Sequence, residues 1–259
     1  MDLPVTYYFL KTLWKAGDIL FFDIHSHILP GVDDGAKDFE ESIKLLELMQ
    51  SQGITDVLAT PHFYPEEDNL SDFSERISIA YANLEKEVIK KNLPNIYLGC
   101  EMLYFKGIGQ SESLPELCIN GSNFLLLELT DQCIDDNLFN DILDMRKNFG
   151  IIPIIAHVER YFKAKNYKKL LKFLVQENIP AQINASSVLI PFFKRPIKKL
   201  LKENIAKFIA TDSHSINERP PMLIPALKVI TDLFGEEYKK RLIKNSSEFY
   251  KKIILRGEK

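Results

Sequence analysis

Short apolar runs bounded by polar or turn residues recur along this chain at 19–22, 56–59, 96–99, 124–127, 152–156, 181–183 and 208–210. Each is too short for a helix and mostly apolar without strict alternation, the pattern of strands buried within a parallel sheet. Stretches with helical spacing separate them. Over 38–52, Phe39, Ile43, Leu46 and Met49 share one face, Asp38 and Glu41 are spaced as a capping box, and Gly53 is placed as a stop. Further helices are predicted over 72–90, 135–148, 167–177, 195–203, 222–234 and 236–252. This alternation predicts a mostly parallel α/β fold, either an open sheet or a barrel. No linker or repeat divides the chain, so a single domain from about residue 17 onwards is expected.

Composition narrows the function classes. With 33 basic and 36 acidic residues there is no polybasic bias toward nucleic acid or an anionic membrane. Cys100, Cys118 and Cys133 are odd in number and unevenly spaced, which points to a reducing cytoplasm rather than a disulfide framework. None is followed by Arg six residues on, so the loop of a cysteine-dependent phosphatase is missing. Residues 1–18 do not read as a signal peptide, no apolar run is long enough to span a membrane, and neither a dinucleotide fingerprint nor a P-loop is present.

The chemistry lies where the apolar runs end. The first runs into His25 and His27, which alternation places on one face. The others lead to His62, Glu101, Glu128, His157 with Arg160, and Asp212 with His214. In a parallel barrel these ends form one rim, where active sites are built. All five histidines of the chain fall at such boundaries, beside carboxylates that would repel one another without cations among them. A metal site resolves that cost.

The segment from Asp23 to Gly35, which includes Asp33-Asp34-Gly35, together with Thr60-Pro61-His62, His157-Val158-Glu159-Arg160 and Asp212-Ser213-His214, resembles the polymerase and histidinol phosphatase (PHP) superfamily. Within it, the chain is most similar to the metal-dependent tyrosine-protein phosphatases of bacterial capsule and exopolysaccharide gene clusters. The resemblance implies a distorted seven-stranded TIM-like barrel over 19–259, preceded by an extension over 1–18. It implies three divalent ions: one on His25, His27, Glu101 and Asp212, a second on Glu101, Glu128 and His157, a third on Asp34, His62 and His214. Manganese is the implied metal, with iron or zinc as alternatives. Arg160 and Arg219 would hold the substrate phosphate. At the position before Glu101, where the family often has Gln, this chain has Cys100.

The implied reaction is hydrolysis of a phosphotyrosine monoester by a hydroxide bridging two ions, in a cytoplasmic enzyme acting on a tyrosine kinase tail of polysaccharide synthesis or export. Aromatic pairs after the ligand positions, Phe63-Tyr64, Tyr104-Phe105 and Tyr161-Phe162, are expected to line the rim, with Tyr161 a candidate contact for the substrate ring. Two other readings are a different PHP phosphoesterase, such as a histidinol phosphatase, and a non-catalytic regulatory barrel. The basic run 194–202 reads as a solvated helix face or as a receptor for an acidic tail.

Overall fold

The structure, a computed structural model, describes residues 21–254; the expected extension 1–18 and the start of the first expected strand lie outside them. Strands β1 (Phe21–Ser26), β2 (Ile54–Ala59), β3 (His62–Phe63), β4 (Asn95–Leu98), β5 (Glu101–Leu103), β6 (Phe124–Glu128), β7 (Ile152–Ile155), β8 (Ala181–Asn184) and β9 (Ala206–Ala210) make two sheets, β1-β2-β4 and β3-β5-β6-β7-β8-β9. Every pairing is parallel, as the alternating sequence requires. The helices are α1 (Phe39–Ser51), α2 (Leu70–Lys91), α3 (Asp136–Phe149), α4 (Tyr167–Gln176), α5 (Ala185–Leu189), α6 (Lys194–Lys202), α7 (Leu223–Phe234) and α8 (Glu236–Ile253).

Two of the apolar runs continue beyond a break and re-enter as a second strand. Pro61 has no N–H to give to a ladder, so β2 stops at Ala59 and β3 begins at His62. Gly99 and Cys100 separate β4 from β5 in the same way. Hydrogen bonds carry the pairing over both breaks: Gly99 N–H donates to the Ala59 carbonyl and Glu101 N–H to the Pro61 carbonyl, each at 3.0 Å. Thus His62 and Glu101 lie directly opposite each other, in register on adjacent strands.

The outer strands β1 and β9 also meet. Ser26 and Ser213 form a bridge, and Asp212 N–H donates to the His25 carbonyl at 2.9 Å. Below them the fully buried Asp23 carboxylate accepts from the Thr211 N–H at 3.0 Å and the Thr211 hydroxyl at 2.5 Å. Burial pushes this carboxyl up to about 6 against the pull of those bonds.

Side chains from both sheets, among them Phe22, Ile24, Leu58, Leu126, Ile154 and Phe208, share an apolar cluster with Phe249 and Ile253 of α8. Ser246 ties this helix to β1, donating to the Phe22 carbonyl and accepting from its N–H. These apolar residues precede the ligand-type residues along their strands, so the polar cluster rests on a packed floor. The larger core lies between the sheets and the surrounding helices.

At the start of α1, Asp38 accepts from Glu41 N–H at 2.9 Å, as expected of a cap. The reciprocal half of the capping box is missing: the Glu41 carboxylate accepts instead from Lys37 and Ile216 N–H groups, both at 3.3 Å.

Candidate metal centre

Two bends in the backbone aim the side chains of this site. His157 and Asp212 have φ of +31° and +49°, a left-handed conformation that costs a non-glycine residue about 1 kcal/mol or more. Each follows a strand end, and the turn redirects its side chain over the apolar floor. Gly35 serves the loop after β1: a Cβ there would collide with the His27 carbonyl and side chain. Its absence lets Ala36 N–H reach the His27 carbonyl at 2.9 Å and folds Asp33 and Asp34 back over the histidines.

All nine residues expected as ligands come together. His25 Nε2 lies 3.1 Å from Glu101 Oε2 and 3.4 Å from Asp212 Oδ1, and His27 Nε2 lies 3.2 and 3.5 Å from the same two atoms. His157 Nε2 faces Glu101 Oε1 at 2.8 Å and Glu128 Oε1 at 3.4 Å. His62 turns Nδ1 toward Glu101 Oε2 at 3.3 Å and Nε2 toward Asp34 Oδ1 at 3.5 Å, which His214 Nε2 also faces at 3.4 Å. Three groups, His25–His27–Glu101–Asp212, His62–Glu101–Glu128 and His27–Asp34–His62–His214, hold their ligand atoms within 4.8 Å of one another.

The donor set fits divalent cations. Four histidines are anchored through Nδ1: His25 by Gln182 Oε1 (3.2 Å), His27 by Asp33 Oδ2 (2.6 Å), His157 by the Tyr161 hydroxyl (3.1 Å) and His214 by the Asp212 carbonyl (3.0 Å). Each is thereby left with Nε2 directed inward, the arrangement metal-binding imidazoles adopt. His62 Nδ1 and His214 Nε2 are buried without a hydrogen-bond partner, a cost that a cation would remove.

Buried imidazoles and carboxylates shift one another's protonation in this cluster. Burial alone would raise Glu101 and Asp212, but the adjacent histidines, His25 first, hold both well below the carboxylate range. Burial disfavours a charged His157, yet its bonds to Glu101 and Glu128 prevail and raise it to about 9. At His214 burial and the His27 charge act together, and it falls to about 3. Metal binding to such a cluster displaces protons and is therefore weakened by acid.

Arg160 and Arg219 stand at the mouth, 39% and 37% exposed, and converge through Nη2 on one atom, Asp212 Oδ2, at 2.7 and 2.8 Å. The other Asp212 oxygen faces His25 and His27, so one carboxylate joins the histidine cluster to both guanidinium groups.

A supporting layer was not anticipated. Gln182 Oε1 accepts from the His157 N–H as well as facing His25, Gln182 Nε2 donates to Asn184 Oδ1, and Asn184 Nδ2 donates to Asp212 Oδ2 at 2.5 Å. Two amides at alternate positions of an otherwise apolar strand were the signal for it. Asp33 also accepts from His62 N–H at 3.0 Å and Gly35 N–H at 2.9 Å; burial would raise it, but the bond and charge of His27 bring it down to about 2. Asp33→Asn is expected to lower metal affinity about 10- to 100-fold with the fold retained. Metal titration monitored by calorimetry checks this, and unchanged affinity would remove Asp33 from the support of His27.

The expectation for Tyr161 is corrected. It is 4% exposed, its hydroxyl accepts from Leu129 N–H at 3.0 Å and meets His157, and it positions that ring rather than facing a substrate. Tyr104 and Phe63 are likewise packed inward, Tyr104 donating to Asp141 and Phe63 lying edge-on to Phe73. Of the expected aromatic rim, Tyr64, stacked on His62 at 5.1 Å, Phe105 and Phe162 are less buried.

Residues 21–251 match the family model described as capsular polysaccharide synthesis, CpsB/CapC. The chain belongs to this family. Among its relatives, the putative tyrosine-protein phosphatase CapC of Staphylococcus aureus is 38% identical over 209 residues, 78% of this chain and 80% of its own. Tyrosine-protein phosphatase CpsB of Streptococcus agalactiae serotype III (strain NEM316) is 30% identical over 241 residues, 88% of this chain and 98% of its own. A solved chain from the crystal structures of YwqE from Bacillus subtilis and CpsB from Streptococcus pneumoniae, unique metal-dependent tyrosine phosphatases, superposes with a TM-score of 0.77 at 28% identity, covering 92% of this chain and 95% of its own. Membership in the CpsB/CapC family thus accords with the mixed α/β fold, its parallel sheets and its clusters of metal-binding side chains.

Proposed function

We propose that this chain is a metal-dependent protein-tyrosine phosphatase that hydrolyses phosphotyrosine monoesters and acts on a tyrosine kinase of polysaccharide synthesis or export. The observation that carries this reading is the convergence of nine ligand-type side chains, His157 joining the others through Glu101 and Glu128, beside two guanidinium groups at one mouth. The similarity to proteins named as tyrosine phosphatases supports it.

On this reading the two sheets form a distorted seven-stranded barrel, β2 with β3 and β4 with β5 each counting as one interrupted strand. The β1–β9 contacts and the hydrogen bonds across the two strand breaks support closure. His25, His27, Glu101 and Asp212 hold one ion, Glu101, Glu128 and His157 a second, and Asp34, His62 and His214 a third. Imidazole and carboxylate donors without thiolate favour manganese, with iron or zinc as the alternatives. When bound, such ions supply Lewis-acid stabilisation of phosphoryl oxygens and a water of lowered pKa.

The chain's own groups do the rest. Arg160 and Arg219 exchange Asp212 Oδ2 for the phosphoryl oxygens, two planar donors against a dianion. Gln182, Asn184, Asp33 and Tyr161 keep the ligands from turning, which places the reacting phosphorus against a rigid frame. The tyrosyl oxygen departs as an aryl oxide of pKa about 10, which solvent water can protonate after release, so no side chain has to act as its acid. Among the described residues no helix is long and apolar enough to cross a membrane, and Cys100, Cys118 and Cys133 are free thiols, which supports a cytoplasmic setting.

The reading is tested by offering manganese-loaded protein a phosphotyrosyl peptide, a phosphoseryl peptide, histidinol phosphate and single-stranded DNA. Phosphate release is expected from the first at a kcat/KM well above the others. Faster turnover of histidinol phosphate would transfer the assignment to another phosphoesterase.

A further inference from the structure

Charge is distributed unevenly along this chain. Between residues 160 and 202 there are eleven basic residues and one acid, Glu177, although acids outnumber bases over the whole sequence. Glu177 is turned away to Arg146 on α3 at 3.5 Å. The positive charge is carried by α4, α6 and the 3₁₀ turn Val158–Lys163, which holds the mouth residue Arg160.

Structure gives this charge a shape. Lys168 and Lys172 on α4 and Lys199 on α6 line a groove of about 540 Å³, floored by Leu171 and by Val175, whose side chain is 53% exposed. The acid bordering it is Glu203, 3.9 Å from Lys199. Toward the mouth, Phe162, Phe192 and Phe193 pack edge to face at 4.7 to 5.8 Å, with Lys163 4.5 Å from the centre of the Phe192 ring. Phe192 is 52% exposed and Ile190 beside it 44%. Large apolar groups held rigid at the surface and ringed by cations form a binding ledge rather than a core. Phe162 and Arg160 share the 3₁₀ turn Val158–Lys163, so the element that carries the mouth residue also carries part of the ledge.

We propose that this ledge and the α4–α6 groove dock an acidic peptide segment flanking the phosphotyrosine of the substrate, so that the phosphatase selects tyrosines with Asp or Glu nearby. The inference rests on the phosphatase reading above and adds its substrate class. Charge complementarity identifies the occupant: three lysines in a concave trough attract carboxylates, and apolar ground beneath them accepts intervening side chains. A concave trough fits an extended chain, whereas a lipid surface is flat on this scale. The turn from Lys168 to Lys172 rises about 6 Å, matched by about two residues of extended peptide, so carboxylates spaced by two address both.

The test uses manganese-loaded full-length protein and three probes: a small aryl phosphate, a phosphotyrosyl peptide with an acidic flank, and the same peptide with that flank changed to Asn and Gln. The acidic peptide is expected to have a KM roughly tenfold lower than the neutral one at low ionic strength, with similar kcat, the gap closing in about 0.5 M salt. The triple variant Lys168→Glu, Lys172→Glu, Lys199→Glu should abolish or reverse the preference and leave aryl phosphate turnover unchanged. The milder triple Lys→Gln variant, with its thermal midpoint, controls for folding. Direct binding of a fluorescent acidic peptide reads the groove independently of turnover. Loss of hydrolysis of every phosphotyrosyl probe by the wild type would defeat the phosphatase reading, while equal affinity for the two flanks would defeat this one. Equal loss of aryl phosphate and peptide turnover in the variants, or capture by anionic phosphatidylserine vesicles without discrimination between peptides, would also overturn it.

Discussion

Changing Glu101 to Gln is expected to lower turnover of a phosphotyrosyl peptide by roughly 10³-fold or more and to strip metal from the protein. Glu101 is 1% exposed and both of its oxygens are engaged: Oε2 faces His25, His27 and His62, and Oε1 faces His157. It belongs to two of the three ligand groups, so its loss takes a donor from both at once. Gln keeps the volume and removes a negative charge, and its NH₂ group would point a donor where a cation is to sit. Metal content and circular dichroism measured beside the rate separate this effect from unfolding. Full metal content with normal turnover would show that Glu101 is not the bridge.

Arg160→Ala is expected to have the next largest effect, a fall of about 10²- to 10³-fold in kcat/KM with bound metal unchanged. Arg160 meets the cluster at the outer oxygen of Asp212, and its side chain is 39% exposed, so it can be removed without opening the ligand set. Arg160→Lys should recover only part of the loss, because an ammonium lacks the planar fork that meets two phosphoryl oxygens. Arg219 donates to the same Asp212 oxygen, so the double Ala variant should fall short of the product of the single effects. Loss of metal in Arg160→Ala would instead place this residue in the support of Asp212.

The positions of the five histidines were legible in the sequence because burial and alternation act locally. An apolar run fixes a strand, and the residue after it must sit at the strand end. The supporting layer was less legible because it depends on contacts across the sheet. Gln182 and Asn184 on β8 act on His25, 157 residues away, and on Asp212; the two amides mark the strand as unusual, but not which residues they meet. Tyr161 was misplaced for a local reason that sequence spacing hides. In a 3₁₀ turn successive side chains are about 120° apart, so Arg160 stays at the mouth while Tyr161 swings inward to His157. Cys100, just before Glu101, is 1% exposed and packs with the apolar core, its Sγ 3.4 Å from the Leu117 carbonyl. The strand breaks at Pro61 and at Gly99-Cys100 were visible as residue types, but that each run would re-enter a second sheet depends on the partner strand.

The central claim is that phosphotyrosine hydrolysis by this chain depends on ions held by the nine converging residues. Its most direct test is to strip the protein with a chelator, restore manganese, and measure bound metal and phosphate release from a phosphotyrosyl peptide on the same samples. Stripped protein should release no phosphate above background, and activity should return with manganese and saturate at three ions per chain. Undiminished release from protein shown to be metal-free would contradict the account.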